Sequence, residues 1–202
     1  MRKSGNKRLT TVLMTVGIAL MILSVAMVIV TEVAEKNFKK KAESIVSALS
    51  ALMPDTVDCV PDDRVNTVMP TLEIEETDFV GLIELPDFDI ILPICSEWNK
   101  TKISQFPCRY MGGVYEKNLI IGGNDNEGQF DFIKTISNGD TVSITDVEGQ
   151  RFNFIVTDIR KTKDVSTENL TKKVADLVLF ARNSFGFDYT VVRCDFKTAF
   201  DG

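Results

Sequence analysis

The stretch "DLVLFARNSFGFDYTVVRC", residues 176–194, decides how the rest of the chain is read. Two apolar runs, Leu177 to Ala181 and Tyr189 to Val192, flank a short polar link. Short runs rich in β-branched and aromatic residues, bounded by turn formers, are the pattern of paired strands. The first strand ends on Arg182, a cation without nucleophilic character at physiological pH. The junction of the two strands is therefore a candidate working surface whose leading group is an arginine.

Working back from this pair, the chain has β texture from residue 72 onward. "VGLIEL", "IILPI", "NLIIGG", "DTVSITDV" and "RFNFIVTDI" are separated by turn signals that include Asn138-Gly139 and Glu148-Gly149. Phe152, Phe154 and Val156 alternate with Asn153, Ile155 and Thr157, the two-residue period of a half-buried strand. A short helix is expected from Ser166, a good N-cap, through "TENLTKKVA". Many short strands in the C-terminal two-thirds of the chain favour an all-β fold, a closed barrel or a sandwich.

The N-terminal part is different. No charged residue occurs from Leu9 to Thr31, a run of 23 positions that covers ~35 Å as a helix, enough for one membrane crossing. Arg2, Lys3, Lys7 and Arg8 precede it and Glu32 follows. The run exceeds a signal-peptide apolar region, so an uncleaved single-pass anchor is expected, with the N-terminus cytoplasmic and the C-terminal domain extracellular at the plasma membrane. Phe38, Ala42, Ile45, Leu49 and Leu52 then mark one helical face, a juxtamembrane helix whose stripe packs by default on its own domain. The expected organisation is a basic tail over 1–8, an anchor over 9–31, a juxtamembrane helix over 32–53, a linker over 54–71 and a domain over 72–202.

Composition excludes several functions. Beyond residue 31 the chain carries 19 basic and 29 acidic residues, a net charge of −10, which argues against a nucleic-acid partner. Histidine is absent, removing the commonest general base and metal ligand. Cys59, Cys95, Cys108 and Cys194 all follow the anchor, where disulfides are permitted; four cysteines allow three full pairings, and spacing does not choose among them. There is no CxxC, so a zinc ribbon or thioredoxin-type site is unsupported. "NDNEG", residues 124–128, concentrates oxygen donors but lacks the spacing of a calcium loop and reads as a turn.

The order of segments resembles the sortases, membrane-anchored cysteine transpeptidases of Gram-positive surfaces. "VGLIELPDFDIILPI" (80–94) is similar to the family's opening strands, and "SEWNKTKISQFPCRYMGG" (96–113) to a version found in one branch. "NLIIGGN" (118–124) stands where that branch has a strand ending in Gly-His-Asn, and "FDFIKTISNGDTV" (130–142) resembles its Phe-containing turn and Gly-Asp hairpin. "DLVLFAR" resembles the strand that ends in Thr-Cys, and "YTVVRC" the last strand, which in the family begins with arginine.

The resemblance implies a closed sortase-type β-barrel of about eight strands with short helices, and no cofactor or metal. It places the family's histidine at Asn124, its threonine-cysteine at Ala181 and Arg182, and its arginine at Tyr189. None of these can serve as leaving-group acid, thiolate nucleophile or oxyanion-stabilising cation in the family's manner. The expected protein is a sortase relative without transpeptidation that binds a peptide, a surface protein or an active sortase through a groove at Asn124, Ala181, Arg182 and Tyr189. Alternatives are an active transpeptidase or hydrolase with an atypical site, for which Cys194 and Ser184 are weak nucleophile candidates, and a membrane-assembly role for the 38–52 helix.

Overall fold

The computed structural model describes residues 4–60, 68–126, 128–183 and 186–197, with the side chains of all but 4–8, 34 and 35. Residues 61–67 of the expected linker, Glu127, Ser184 and the side chains of the basic cluster lie outside these. Two compact units divide the chain, one up to Asn37 and one from Phe38 onward. Helix α1 spans Ser4–Leu52.

In the first unit the apolar side chains from Leu9 to Val33 are exposed, Met21 at 72% among them. This helix is long and apolar enough to cross a membrane.

In the second unit the helical residues Ala42, Ile45 and Leu49 are buried against strand residues, each large side chain contributing about 1.5–3 kcal/mol. The expected stripe ends one step early. Leu52 is 63% exposed because the helix stops there and Pro54 follows, and Met53 packs in its place.

The strands are β1 (Val57–Asp58), β2 (Leu72–Ile74), β3 (Thr77–Leu85), β4 (Ile90–Cys95), β5 (Cys108–Met111), β6 (Leu119–Asn124), β7 (Thr141–Asp146), β8 (Gln150–Thr162), β9 (Leu177–Arg182) and β10 (Tyr189–Phe196). Their pairing runs β8–β10–β9–β6–β5–β4–β3 and returns through β7 to β8, closing an eight-strand ring. The closed barrel of about eight strands is thus present, and closure removes the unpaired edges an open sheet would expose. β1 and β2 extend the ring in line: β1 pairs parallel with β8 and β2 antiparallel with β3. Part of the segment expected as linker is therefore strand.

Phe130, Phe152, Phe154, Leu179 and Val192 fill the barrel interior. The short helices are α2 (Lys100–Ile103), capped by Asn99, and α3 (Thr167–Thr171), capped by Ser166. The second is shorter than the pattern 166–175 suggested.

Two backbone positions make closure possible. At Gly149 (φ +79) the β7–β8 hairpin turns, held by Asp146 Oδ1, which accepts from the backbone N–H groups of Glu148 and Gln150 at 2.9 Å each. At Gly81 (φ +151), beside a bulge in the β3–β4 pairing, a Cβ would stand 2.0 Å from the Thr145 carbonyl oxygen of β7. Gly81→Ala must therefore separate β3 from β7 at the seam of the ring. Urea unfolding of the full chain in detergent, followed by Trp98 fluorescence, should show a loss of about 3 kcal/mol; a loss below about 1 kcal/mol would mean the seam relaxes freely.

Candidate functional site

Asn124, Arg182 and Tyr189 lie on three adjacent strands in one row. β6 and β9 pair in parallel with Asn124 opposite Arg182, and β9 and β10 pair antiparallel with Arg182 opposite Tyr189. Directly opposed positions share a sheet face, so the three side chains leave the same rim of the barrel on its outer side. Arg182 is exposed, and Asn124 and Tyr189 are half-buried.

Ala181 is a correction to the expected groove. It is fully buried in the barrel core, because alternation along β9 sends it to the face opposite Arg182. The side chain that shares the outer face is Phe180, two residues before Arg182.

The Asn124 end of the row is covered. Its side-chain amide donates to the Ile103 carbonyl at 2.8 Å, and its backbone N–H donates to Gln129 Oε1 at 2.9 Å. Gln129 in turn donates to the same Ile103 carbonyl at 3.3 Å. Ile103 belongs to the loop between β4 and β5, residues 96–107, which also lays Trp98 over Gly122. A Cβ on Gly122 would be 2.3 Å from the Trp98 ring, so only glycine admits the indole there. Trp98, Tyr110 and Phe180 form a mutual aromatic cluster with centroids 5.2–5.5 Å apart, and Phe180 reaches Tyr189 at 6.4 Å. Trp98 remains 40% exposed.

The Arg182 end is open. Among the described residues its guanidinium has no hydrogen bond or ion pair, and Asp188, the acid nearest in sequence, does not engage it. Phe187 on the connection between β9 and β10 is 90% exposed. An unpaired cation beside aromatic surface suits an anionic group on an otherwise apolar ligand.

A second arginine on the outer face escaped sequence reasoning. Arg193 follows Tyr189 by four residues on β10, yet it is 2% exposed beneath α3. It donates to the carbonyl oxygens of Asn169 (3.3 Å) and Leu170 (3.5 Å) and pairs with Asp158 at 3.5 Å. Its Nε and Nη1 have no hydrogen-bond acceptor among the described residues. Burial lowers its pKa from the ordinary arginine value. The run "TVVRC" gave no signal of this, since nothing in it says that α3 folds over the strand.

The cysteines are all free thiols here. Cys194 is fully buried in the core, where desolvation raises its pKa above the usual thiol value and makes it a poor nucleophile. The turn 124–128 presents no calcium-like cluster among the described residues; the buried Asp125 faces Lys134 at 3.5 Å. A groove of about 650 Å³ lies between Lys39, Glu43 and Val46 of the helix and Phe88, Ile90 and Asp131, with Gln129, the partner of the Asn124 N–H, in its lining.

No family model matches the sequence, and no curated protein matches it. Solved structures do match. A sortase D5 transpeptidase of Clostridium perfringens is 18% identical, over 60% of this chain and 80% of that one, with a TM-score of 0.51. Sortase C1 of Streptococcus agalactiae is 18% identical over 62% and 71%, with a TM-score of 0.52. Clostridium perfringens sortase C, solved with the C-terminal cell wall sorting motif, is 15% identical over 82% and 88%, with a TM-score of 0.51. The chain therefore has the sortase fold, a closed mixed barrel with short helices.

The Asp158 cluster has a pH consequence. The Arg160 guanidinium, hydrogen-bonded to it, holds the Asp158 carboxyl below its ordinary value of 3.8, with Lys173 and Arg193 adding to this. A depressed carboxylate stabilises the fold above its unfolded pKa, and that stability is lost as pH falls through the folded value. Asp158→Asn should cost about 1–2 kcal/mol at pH 7 by leaving Arg193 without its counter-charge. The difference between variant and wild type should shrink below pH ~4. Urea midpoints measured across pH check this, and a constant difference at all pH values would refute it.

Proposed function

We propose that the chain is a membrane-anchored sortase-fold protein without transpeptidase activity, which binds the anionic group of a peptide or surface protein at Arg182. One observation carries this reading: the family's three catalytic positions, matched through the resemblance to Asn124, Arg182 and Tyr189, stand in register at one rim of the barrel and hold no acid, thiol or matching cation. The chemistry at this rim is that of an amide, a guanidinium and a phenol. A guanidinium there attracts a carboxylate bidentately, and the aromatic cluster beside it supplies apolar contact.

The anchor over residues 9–31 and the positive residues before it support a single-pass arrangement with the barrel on the outer side of the plasma membrane. The known structure of a sortase with a cell wall sorting motif makes sorting-signal peptides the first ligands to try, and an active sortase engaged in surface-protein anchoring or pilus assembly a candidate partner.

Calorimetric titration of the full chain in detergent with LPxTG-type peptides is expected to show binding that Arg182→Ala weakens about tenfold, the effect of one charge-assisted hydrogen bond. Absence of binding to wild type would remove the reading. With a fluorogenic version of the peptide and an amine acceptor, no turnover is expected; turnover abolished by a thiol reagent would instead establish an atypical active site.

A further inference from the structure

Cys95 and Cys108 are partners across the single parallel bridge that joins β4 to β5. Neighbouring strands lie about 4.8 Å apart, inside the Cα separation of roughly 4.4–6.8 Å that a disulfide spans. Opposed positions point to the same face, and both side chains are fully buried beneath Ile45, Leu49 and Phe106. Each thiol donates to a backbone carbonyl of the 96–107 loop, Cys95 to Glu97 at 3.7 Å and Cys108 to Phe106 at 3.3 Å, and each perturbs the other's titration. No comparable arrangement exists for Cys59 with Cys194. The β1 and β10 registers put them opposite positions four residues apart on β8, about 13 Å along the strand and beyond the ~7 Å limit.

We propose that Cys95 and Cys108 form the protein's disulfide, which closes the loop 96–107 at its base and holds it against the Asn124 end of the row, while Cys59 and Cys194 stay reduced. The placement gives the bond a role beyond stapling two strands. The twelve residues it encloses carry Trp98, which covers Gly122, and the Ile103 carbonyl, which accepts from Asn124. Both ends of that excursion leave the barrel at the cysteines themselves. Restricting them lowers the entropy of the open loop and favours the closed position.

The chemistry is an exchange with an external disulfide, of a thiol oxidoreductase or of oxidised glutathione. The Cys95 thiolate attacks one sulfur of the oxidant, forming a mixed disulfide and releasing one thiolate. Cys108 loses its proton and attacks the Cys95 sulfur, releasing the second. The two cysteines give up two electrons and two protons, and the oxidant leaves as two thiols. Because both are buried in the folded state, the exchange belongs to folding, before the helix residues 42–49 cover the site.

The proposal uses the outer-side placement proposed above for its oxidising setting, but its test does not. The full chain in detergent is refolded in a glutathione redox buffer, free thiols are alkylated, and peptides are mapped by mass. Cys95–Cys108 linkage with alkylated Cys59 and Cys194 is expected, also in a Cys59→Ser/Cys194→Ser variant. Alkylation of Cys95 and Cys108 under oxidising conditions, or linkage to either other cysteine, overturns it. The sole tryptophan reads the loop. Reduction of the wild type should roughly double iodide quenching of Trp98 and lower the unfolding midpoint by about 5 °C or more. Unchanged quenching would overturn the loop-closing role. Failure of peptide binding in calorimetry would leave these outcomes unaffected, and so separates the two readings.

Discussion

The parallel pairing of β6 with β9 is the constraint on which the rest of the barrel depends. Both strands run toward the same rim, and the hydrogen-bond ladder sets Asn124 beside Arg182. Parallel neighbours cannot be joined by a tight turn. The crossover from 125 to 176 therefore has to be long, and it carries β7, β8 and α3, the elements that close the ring and cap its outer face. β10 then starts at the rim where β9 ends, which brings Tyr189 into the same row. A one-residue slip in this ladder would turn Ala181 outward and drive Arg182 into an apolar interior, so the burial of the alternate residues enforces the register.

That rim has two ends of different character. At Asn124 the amide is occupied by a carbonyl of the 96–107 loop, and the outer surface of β6 is closed by an indole resting on a glycine. At Arg182 the cation faces solvent next to aromatic rings. Farther along β10, Arg193 shows what the same side chain does when an element folds over it: it gathers backbone carbonyls and Asp158, because a desolvated guanidinium needs acceptors. The contrast comes from what covers each strand position and not from the residue type.

Much of the barrel was legible from residue types. Alternation in "RFNFIVTDI" named the inward residues Phe152, Phe154 and Val156, and the glycine-containing turns marked where strands reverse. The helical stripe from Phe38 was legible up to Leu49, but its end was not, since periodicity alone does not say where the supporting surface stops. The membrane-length helix followed from its uncharged length alone. The positions Asn124, Arg182 and Tyr189 were reached through resemblance to a family, and physical periodicity would not have grouped three residues so far apart in sequence.

Strand faces, the apolar helix and the absence of histidine could be read from the chain alone, because they depend on the local period of hydrophobicity and on composition. The meeting of Cys95 with Cys108, the inward face of Ala181, the burial of Arg193 beside an exposed Arg182 and the seat of Trp98 over Gly122 came from the folded barrel. Each of these rests on contacts between segments distant in the chain, whose partners are chosen by closure of the ring and by what packs over its outside. Neither is encoded within any one stretch.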